Sequence, residues 1–249
     1  MDRYNEIKEF ALSLGVDFFG AADLESFKAD ENIQVGLLAG FTRAISLGAA
    51  LSREVIDDLV DRPTPHYSHH YQTVNNLLDQ AALRVSGFIQ RRGFRALPVP
   101  ASQILDWENW LGAISHKAVA RMAGLGWQGK SLLLINPEVG PRIRLVTVLT
   151  DLNLPPDQPL ANRCGKCREC EQACPAGAIL GRPFGDGYRA RSEAWNVEAC
   201  VEHLTNKFGQ LNGVTALICG LCIKACPFGR RGKPYGEASC GPASSRVSA

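Results

Sequence analysis

Residues 164–175 read CGKCRECEQACP, with two residues between Cys164 and Cys167, two before Cys170, and three before Cys174, which precedes Pro175. Tight turns at this spacing bring three thiolates together from one loop, as a compact iron–sulfur cube requires. The fourth cysteine, before proline, points away and typically ligates a second cluster. The stretch therefore predicts another cysteine run elsewhere in the chain.

A second run is present at residues 219–227, with the pattern Cys-x2-Cys-x3-Cys-Pro. Its expected first cysteine, three residues before Cys219, is Ala216, and Cys200 is the cysteine of this region that neither run contains. If the cysteine that precedes proline in each run ligates the cluster of the other run, the eight cysteines form two sets of four. Set one is Cys164, Cys167, Cys170 and Cys226, and set two is Cys174, Cys200, Cys219 and Cys222. The sequence thus predicts two [4Fe–4S] clusters, one for each set.

Other uses of these cysteines explain less of the pattern. Four disulfides would suit a secreted protein, but residues 1–6 lack the layout of a signal peptide. Zinc sites use pairs of Cys-x2-Cys and do not account for Cys-x2-Cys-x2-Cys or for the Cys-Pro pairs. Cys240 lies apart from both runs and is predicted to be an incidental thiol.

The cysteine distribution also divides the 249-residue chain, because residues 1–163 contain none. The proline-rich stretch 154–159 reads as a linker. We predict an α/β domain over residues 1–158, a ferredoxin-like domain over 159–230 and a disordered tail over 231–249, which is rich in Gly, Ser, Ala and Pro. A net charge of +2 and the lack of a long apolar run give no indication of nucleic-acid or membrane binding, so a cytoplasmic location is expected.

Periodicity in the cysteine-free part predicts alternating helices and strands. Helices are expected over residues 4–14, 70–91 and, capped by Ser115, 115–122. Strands are expected over residues 16–22, 44–50, 95–99, 131–135 and 142–150, with a turn at 137–140 joining the last two. This order indicates an α+β unit of two or three layers around a mixed sheet.

Several motifs in this order resemble the epoxyqueuosine reductase family, which is itself similar to reductive dehalogenases. They are Leu14-Gly15-Val16-Asp17, Ala123-Gly124-Leu125-Gly126-Trp127-Gln128-Gly129-Lys130, Leu149-Thr150-Asp151-Leu152 and Cys164-Gly165-Lys166-Cys167. The resemblance spans roughly residues 5–228. It implies a nitroreductase-related domain that binds cobalamin, followed by a double-cluster ferredoxin domain. In that family the clusters reduce the cobalt, and the reduced corrinoid performs the chemistry.

The resemblance also suggests which residues would line a corrinoid slot. The glycines of the Gly124–Trp127 turn would allow close backbone approach to a large flat ligand, and two strands would supply the wall. The cofactor-binding candidates are Tyr71, Trp110, Gly124, Gly126, Trp127, Leu134 and Leu145.

The sequence departs from the family at its catalytic aspartate, the proton donor to substrate. Ungapped counting places that position at Trp110, and a gapped alignment places it near Pro100 or Ala101. Asp106, Glu108 and His116 are the nearby groups that could substitute, so the catalytic residue is left unassigned. The chain also ends about twenty residues after its last predicted ligand, without the helical-repeat domain of longer members, and transfer RNA is not counted among its expected partners.

These observations lead to two functional hypotheses. The first is an iron–sulfur oxidoreductase in which an external donor, such as a ferredoxin or flavodoxin, supplies electrons for a cofactor or substrate in the amino-terminal domain, with cobalamin as the candidate. The alternative is a non-enzymatic electron carrier or reductive activator that acts on a partner protein. The sequence predicts neither the substrate nor the oligomeric state.

Overall fold

A computed structural model describes residues 2–27, 33–34, 36–182 and 190–230, so the predicted tail at 231–249 lies outside the described residues. The helices in chain order are α1 (Arg3–Ser13), α2 (Arg53–Asp57), α3 (Pro65–Gln90), α4 (His116–Met122), α5 (Glu169–Gln172), α6 (Val197–Asn206) and α7 (Leu221–Ala225). The strands are β1 (Phe18–Asp23), β2 (Arg43–Ala50), β3 (Ala96–Val99), β4 (Trp127–Gln128), β5 (Leu134–Ile135) and β6 (Ile143–Thr150).

The central sheet has the strand order β1-β2-β6-β3, and its pairings are all antiparallel. The predicted mixed sheet is therefore wrong in its pairing. Helix α3 connects β2 to β3, and a helical connection of this kind usually joins two parallel strands that lie side by side. In the structure β6 lies between these two strands and pairs with both, so they run in the same direction without touching.

Helices cover both faces of this sheet and make three layers. Val146 and Val148 of β6 pack in one apolar cluster with α1 and α3, while Leu145 and Leu149 pack in a second cluster with α4. Successive side chains of a strand point to opposite faces, so a strand covered on both sides needs a continuous apolar run. This requirement explains why apolar residues of β6 point to both faces and why seven of its eight residues are buried.

Local signals set most element boundaries close to those predicted. Helix α4 begins after Ser115, whose hydroxyl accepts from the Ala118 amide. Helix α3 begins five residues earlier than expected, because Thr64 caps it and Pro65 occupies its first position. The predicted strand over 131–135 is reduced to β5, which pairs with β4 rather than β6.

The cysteine-bearing segment contributes side chains to the main core. Val214, Ile218 and Leu221 belong to the same apolar cluster as Leu59 and Tyr67. The segment thus packs directly on the α2–α3 region. The division into domains at residue 158 remains a sequence prediction.

Gly20 in β1 tests the contact between the sheet and α4. A Cβ at this position would overlap the carbonyl of Ala123, and that backbone cannot rotate away as a side chain can. We expect Gly20→Ala to lower the free energy of unfolding by about 1–3 kcal/mol, the usual cost of overpacking. Urea denaturation of the anaerobic protein would measure this loss.

The control is Gly87→Ala in helix α3, where a Cβ would meet only the end of the Arg91 side chain, at 3.3 Å. Alanine favours a helix over glycine by roughly 0.5–1 kcal/mol, so this variant should be neutral or stabilised. Equal urea midpoints for the two variants would show that the β1–α4 contact is not tight.

Candidate metal centre and the adjoining recess

The four cysteines of set one come together from the loop 164–170 and the end of α7. The pKa of the Cys170 thiol is raised to about 11, first by burial and then by the neighbouring Cys164 and Cys167. Burial likewise raises the pKa of Cys226 to about 12, with contributions from the same three cysteines of the loop. Electrostatic coupling among these four thiols is what convergence on one cluster requires.

The cysteines of set two are coupled in the same way. Burial raises the pKa of Cys219 to about 11, and Cys200 and Cys174 add to the effect. Burial is also the main cause that raises the pKa of Cys222, and among the neighbouring thiols Cys219 makes the largest contribution. Cys170 of set one also acts on Cys222, so the two sets are adjacent.

The donor chemistry of each set fits a cluster of iron and sulfide. Each set supplies the four cysteine thiolates that a [4Fe–4S] cluster uses as ligands. Burial raises the pKa values of five of these thiols, so iron binding must displace their protons; they are Cys170, Cys200, Cys219, Cys222 and Cys226. Among the described residues, no group of three or more His, Cys, Asp or Glu is arranged to hold a single metal ion. In a cube, by contrast, each thiolate binds a different iron atom.

Two buried cationic side chains of the amino-terminal part, Lys130 and Arg142, donate hydrogen bonds to the backbone of the peptide that carries set one. The Lys130 Nζ donates to the carbonyl of Cys167 at 2.9 Å. Arg142 donates to the carbonyls of Phe228 at 3.2 Å and Lys224 at 3.4 Å, one on each side of Cys226. Sequence reasoning missed both roles, although Lys130 ends the Gly-Trp-Gln-Gly-Lys motif.

Most of the residues expected to line a corrinoid slot lie against protein instead. Trp127 is 1% exposed and packs edge-on against Phe228, with ring centroids 4.8 Å apart. Cβ atoms at Gly124 and Gly126 would meet backbone atoms of Gln158 and Ile135. Leu134 and Leu145 are buried in the α4-side core. These five residues serve packing, and the expectation that they face a ligand needs correction.

Tyr71 lies in a polar group at the edge of α3. Its hydroxyl is 2.8 Å from the Ser102 hydroxyl and accepts from Arg144 at 3.2 Å. Arg144 also donates to Asn75 at 2.9 Å and lies over the Tyr71 ring. The arrangement fixes a guanidinium and two hydroxyls between β6 and the loop that follows β3.

Lys117 marks a recess beside set two. The side chain is exposed to water, yet burial is the largest cause that lowers its pKa, followed by the charge of Arg144. Cys222 and Cys200 also act on this ammonium group. From this combination we infer a concave site in front of Lys117, which we call the recess. Lys117 makes no hydrogen bond or ion pair with any described residue, and sequence reasoning assigned it no role.

Two of the three groups named as possible proton donors, His116 and Asp106, are poorly placed for that role. Burial lowers the pKa of His116 to about 4, and its ring nitrogens contact Thr147 at 2.8 Å and the Pro100 carbonyl at 2.9 Å. The imidazole is therefore neutral and engaged at pH 7. The Asp106 carboxylate accepts from the Glu108 and Asn109 amides, which makes it a turn-forming residue.

Trp110 lies in the same loop as Asp106, which is bridged to Leu111. Its φ of 56° is in the left-handed region that bulky residues avoid. Its ring packs edge-on against Trp107, with centroids 5.6 Å apart, and Trp107 is 62% exposed. An aromatic pair thus stands where ungapped counting places an acid.

None of the described helices combines the length and apolar character needed to cross a membrane.

Comparison with known proteins confirms the cluster prediction. Residues 163–229 match the family model of the 4Fe-4S double cluster binding domain. The match supports two iron–sulfur clusters in this segment and leaves the ligand of each cluster to be tested.

The same comparison confirms the resemblance to epoxyqueuosine reductases. The chain is 42% identical to the Bacillus anthracis epoxyqueuosine reductase over 123 residues, which cover 47% of this chain and 30% of that protein. It is 26% identical to the Vibrio cholerae enzyme over 256 residues, covering 91% of this chain and 67% of that protein. The chain thus spans about a third of one of these relatives and two thirds of the other.

Solved structures show the same fold. An epoxyqueuosine reductase with a modified tRNA-Tyr stem loop superposes with a TM-score of 0.62 at 21% identity, covering 90% of this chain and 64% of that one. A catabolic reductive dehalogenase superposes with a TM-score of 0.69 at 23% identity, covering 90% of this chain and 31% of that one. At these identities the likeness establishes the α+β architecture alone.

Proposed function

We propose that this relative of the epoxyqueuosine reductases is an iron–sulfur oxidoreductase whose ferredoxin-like segment delivers electrons to an acceptor in the recess beside Lys117. The observation that carries the proposal is the position of Lys117, which is open to water and electrostatically coupled to Cys200 and Cys222. An acceptor in contact with this ammonium group would lie next to the thiols of set two.

The ligand assignment is part of this proposal. Set one would hold cluster one, and the buried Lys130 and Arg142 of the amino-terminal part donate hydrogen bonds to the peptide around it. Set two would hold cluster two, which is nearer to the recess. Electrons from an external donor would then enter through the segment 164–226 and leave beside Lys117.

Cobalamin is the candidate acceptor, and the recess has groups that suit it. Tyr71, Ser102, Arg144 and Lys117 supply hydroxyl, guanidinium and ammonium donors for the amide side chains of a corrinoid. When bound, a corrinoid supplies a strongly reducing metal centre with an open coordination position. The nitroreductase-related description of this domain belongs to the same proposal.

Lys117 is also the proton source that we propose in place of the missing carboxyl group. Its lowered pKa, caused first by burial and then by Arg144, makes the ammonium a better acid than an ordinary lysine. Lys117 would hold the proton at Nζ until the acceptor is reduced. His116 cannot do this, because it is neutral at pH 7.

The alternative function is an electron carrier that acts on a partner protein. It is favoured by the Trp107–Trp110 pair, which stands where ungapped counting places the family's aspartate and leaves Trp107 62% exposed. A carrier needs a docking surface and no proton donor. Hydroxocobalamin added to the anaerobic protein separates the two functions: the oxidoreductase should change its visible spectrum at stoichiometric ratio, whereas an unchanged spectrum favours the carrier.

Metal content provides the first test of the cluster assignment. Two closed sets of four thiolates predict about eight iron and about eight sulfide per chain in protein purified without oxygen. Colorimetric iron and acid-labile sulfide assays would measure both. Stoichiometric zinc, or about four iron in a fully folded protein, would contradict the assignment of one cluster to each set.

A further inference from the structure

Two buried N–H groups near set one have no acceptor among the described residues. They are the indole Nε1 of Trp127 and the guanidinium Nε of Arg142. Both side chains are only 1% exposed. Buried donors are almost always paired, so an orphan of this kind needs an explanation.

The position of Trp127 points to sulfur as the missing acceptor. Trp127 forms a small apolar cluster with Ile135 and Phe228, and the partly buried residues packed against this cluster include Cys164 and Cys226. The indole is thus enclosed by the peptide that carries set one. No oxygen or cysteine sulfur of a described residue accepts from its N–H, so the acceptor that fits is a sulfide of the cluster itself.

Arg142 provides an independent observation of an unpaired donor near set one. Its terminal nitrogens are satisfied by the carbonyls of Phe228 and Lys224 and by the Asp57 carboxylate at 3.3 Å. Only Nε is left over, and Cys226 is among the charges that act on the guanidinium. Two donors from different parts of the amino-terminal segment therefore stand unpaired around one group of thiols.

We propose that Trp127 and Arg142 donate N–H···S hydrogen bonds to sulfur atoms of the cluster held by set one, and that they raise its reduction potential. Reduction adds negative charge to a cluster, so a donor directed at its sulfurs stabilises the reduced form more than the oxidised one. The inference rests on the proposed assignment of Cys164 and Cys226 to cluster one. It makes these two residues determinants of the order in which the clusters accept electrons.

Set two has its own indole donor, which gives a matched control. The Trp195 side chain donates a hydrogen bond to Cys200, which lowers the pKa of that thiol against the raising effect of burial. Trp127 and Trp195 would thus play the same role at different clusters. Replacement of each by phenylalanine keeps an aromatic ring and removes the N–H.

The test is an EPR-monitored redox titration of the fully loaded protein and its two variants. Trp127→Phe should lower the midpoint potential of cluster one, with roughly a tenfold smaller equilibrium constant for reduction, or about 59 mV for a one-electron couple. Trp195→Phe should lower the other midpoint instead. An unchanged midpoint in Trp127→Phe, or a shift of the same cluster in both variants, would overturn the proposal.

A measurement without substitution covers the case in which Trp127→Phe loses its cluster. Pulsed EPR of reduced protein with 15N in its tryptophan indoles should show a weak 15N coupling to cluster one. Absence of this coupling, with the iron content intact, refutes the hydrogen bond.

Failure of the ligand assignment would give a different result. If cluster one is absent from Cys226→Ala, adding Trp127→Phe to that variant should leave the remaining midpoint unchanged. A shift there would show that Trp127 contacts the cluster that does not need Cys226. That outcome rejects the assignment while keeping the N–H···S bond.

Discussion

Cys226→Ala is expected to remove cluster one and leave cluster two, whereas Cys174→Ala is expected to do the reverse. Each variant should fall from about eight to about four iron per chain. The reason is that the cysteine before proline in each run is assigned to the cluster of the other run. The electrostatic interactions among the thiols support this assignment. Cys226 is coupled to the three cysteines of the loop 164–170, and Cys174 acts on Cys200, Cys219 and Cys222.

Two further variants identify which cluster remains. Cys164→Ala should give the same residual EPR spectrum as Cys226→Ala, and Cys200→Ala should match Cys174→Ala. The Cys200 variant is the most informative of the four, because Cys200 lies outside both runs and could instead be a buried thiol with only a structural role. Full iron content in Cys200→Ala would show that Cys200 is not a ligand. A Cys174→Ala spectrum that matches Cys164→Ala would show that Cys174 closes the site of its own run.

The second large effect concerns epoxyqueuosine itself. We expect corrinoid binding with little or no reduction of an epoxyqueuosine-modified stem loop, because the Lys117 ammonium is a much weaker acid than the family's carboxyl group and a well-matched general acid is typically worth roughly 10²–10⁴-fold in rate. Asp106 is held in a turn and His116 is neutral, so neither replaces the aspartate. Single-turnover assays with reduced, cobalamin-loaded protein would measure the rate. Turnover comparable to that of an aspartate-containing relative would contradict the expectation.

Position 110 provides a matched pair for this prediction. Aspartate and asparagine tolerate the left-handed backbone of Trp110 better than tryptophan does. Trp110→Asp should therefore restore part of the rate, and Trp110→Asn, with the same shape and no acid, should not. Equal rates in the two variants would place the proton source elsewhere, and Lys117→Gln would then be the variant to measure.

The sequence by itself determined the cluster chemistry. Cysteine spacing is local, and the proline after the fourth cysteine of a run is informative about where that thiol points, so the two sets could be written down without a fold. Strand β6 and helix α4 were predictable for the same reason, since an apolar run and a capping serine act within a few residues.

Tertiary structure decided which residues meet the clusters and the recess. Trp127 and the glycines around it read as ligand-lining in the sequence, but the same small and aromatic residues also allow two protein segments to pack closely, and burial distinguishes the two cases. The orphaned N–H groups of Trp127 and Arg142, and the lowered pKa of Lys117, have no sequence signature. Their environments come from segments up to about a hundred residues away in the chain, and a side chain's solvation depends on everything packed around it rather than on its neighbours in sequence.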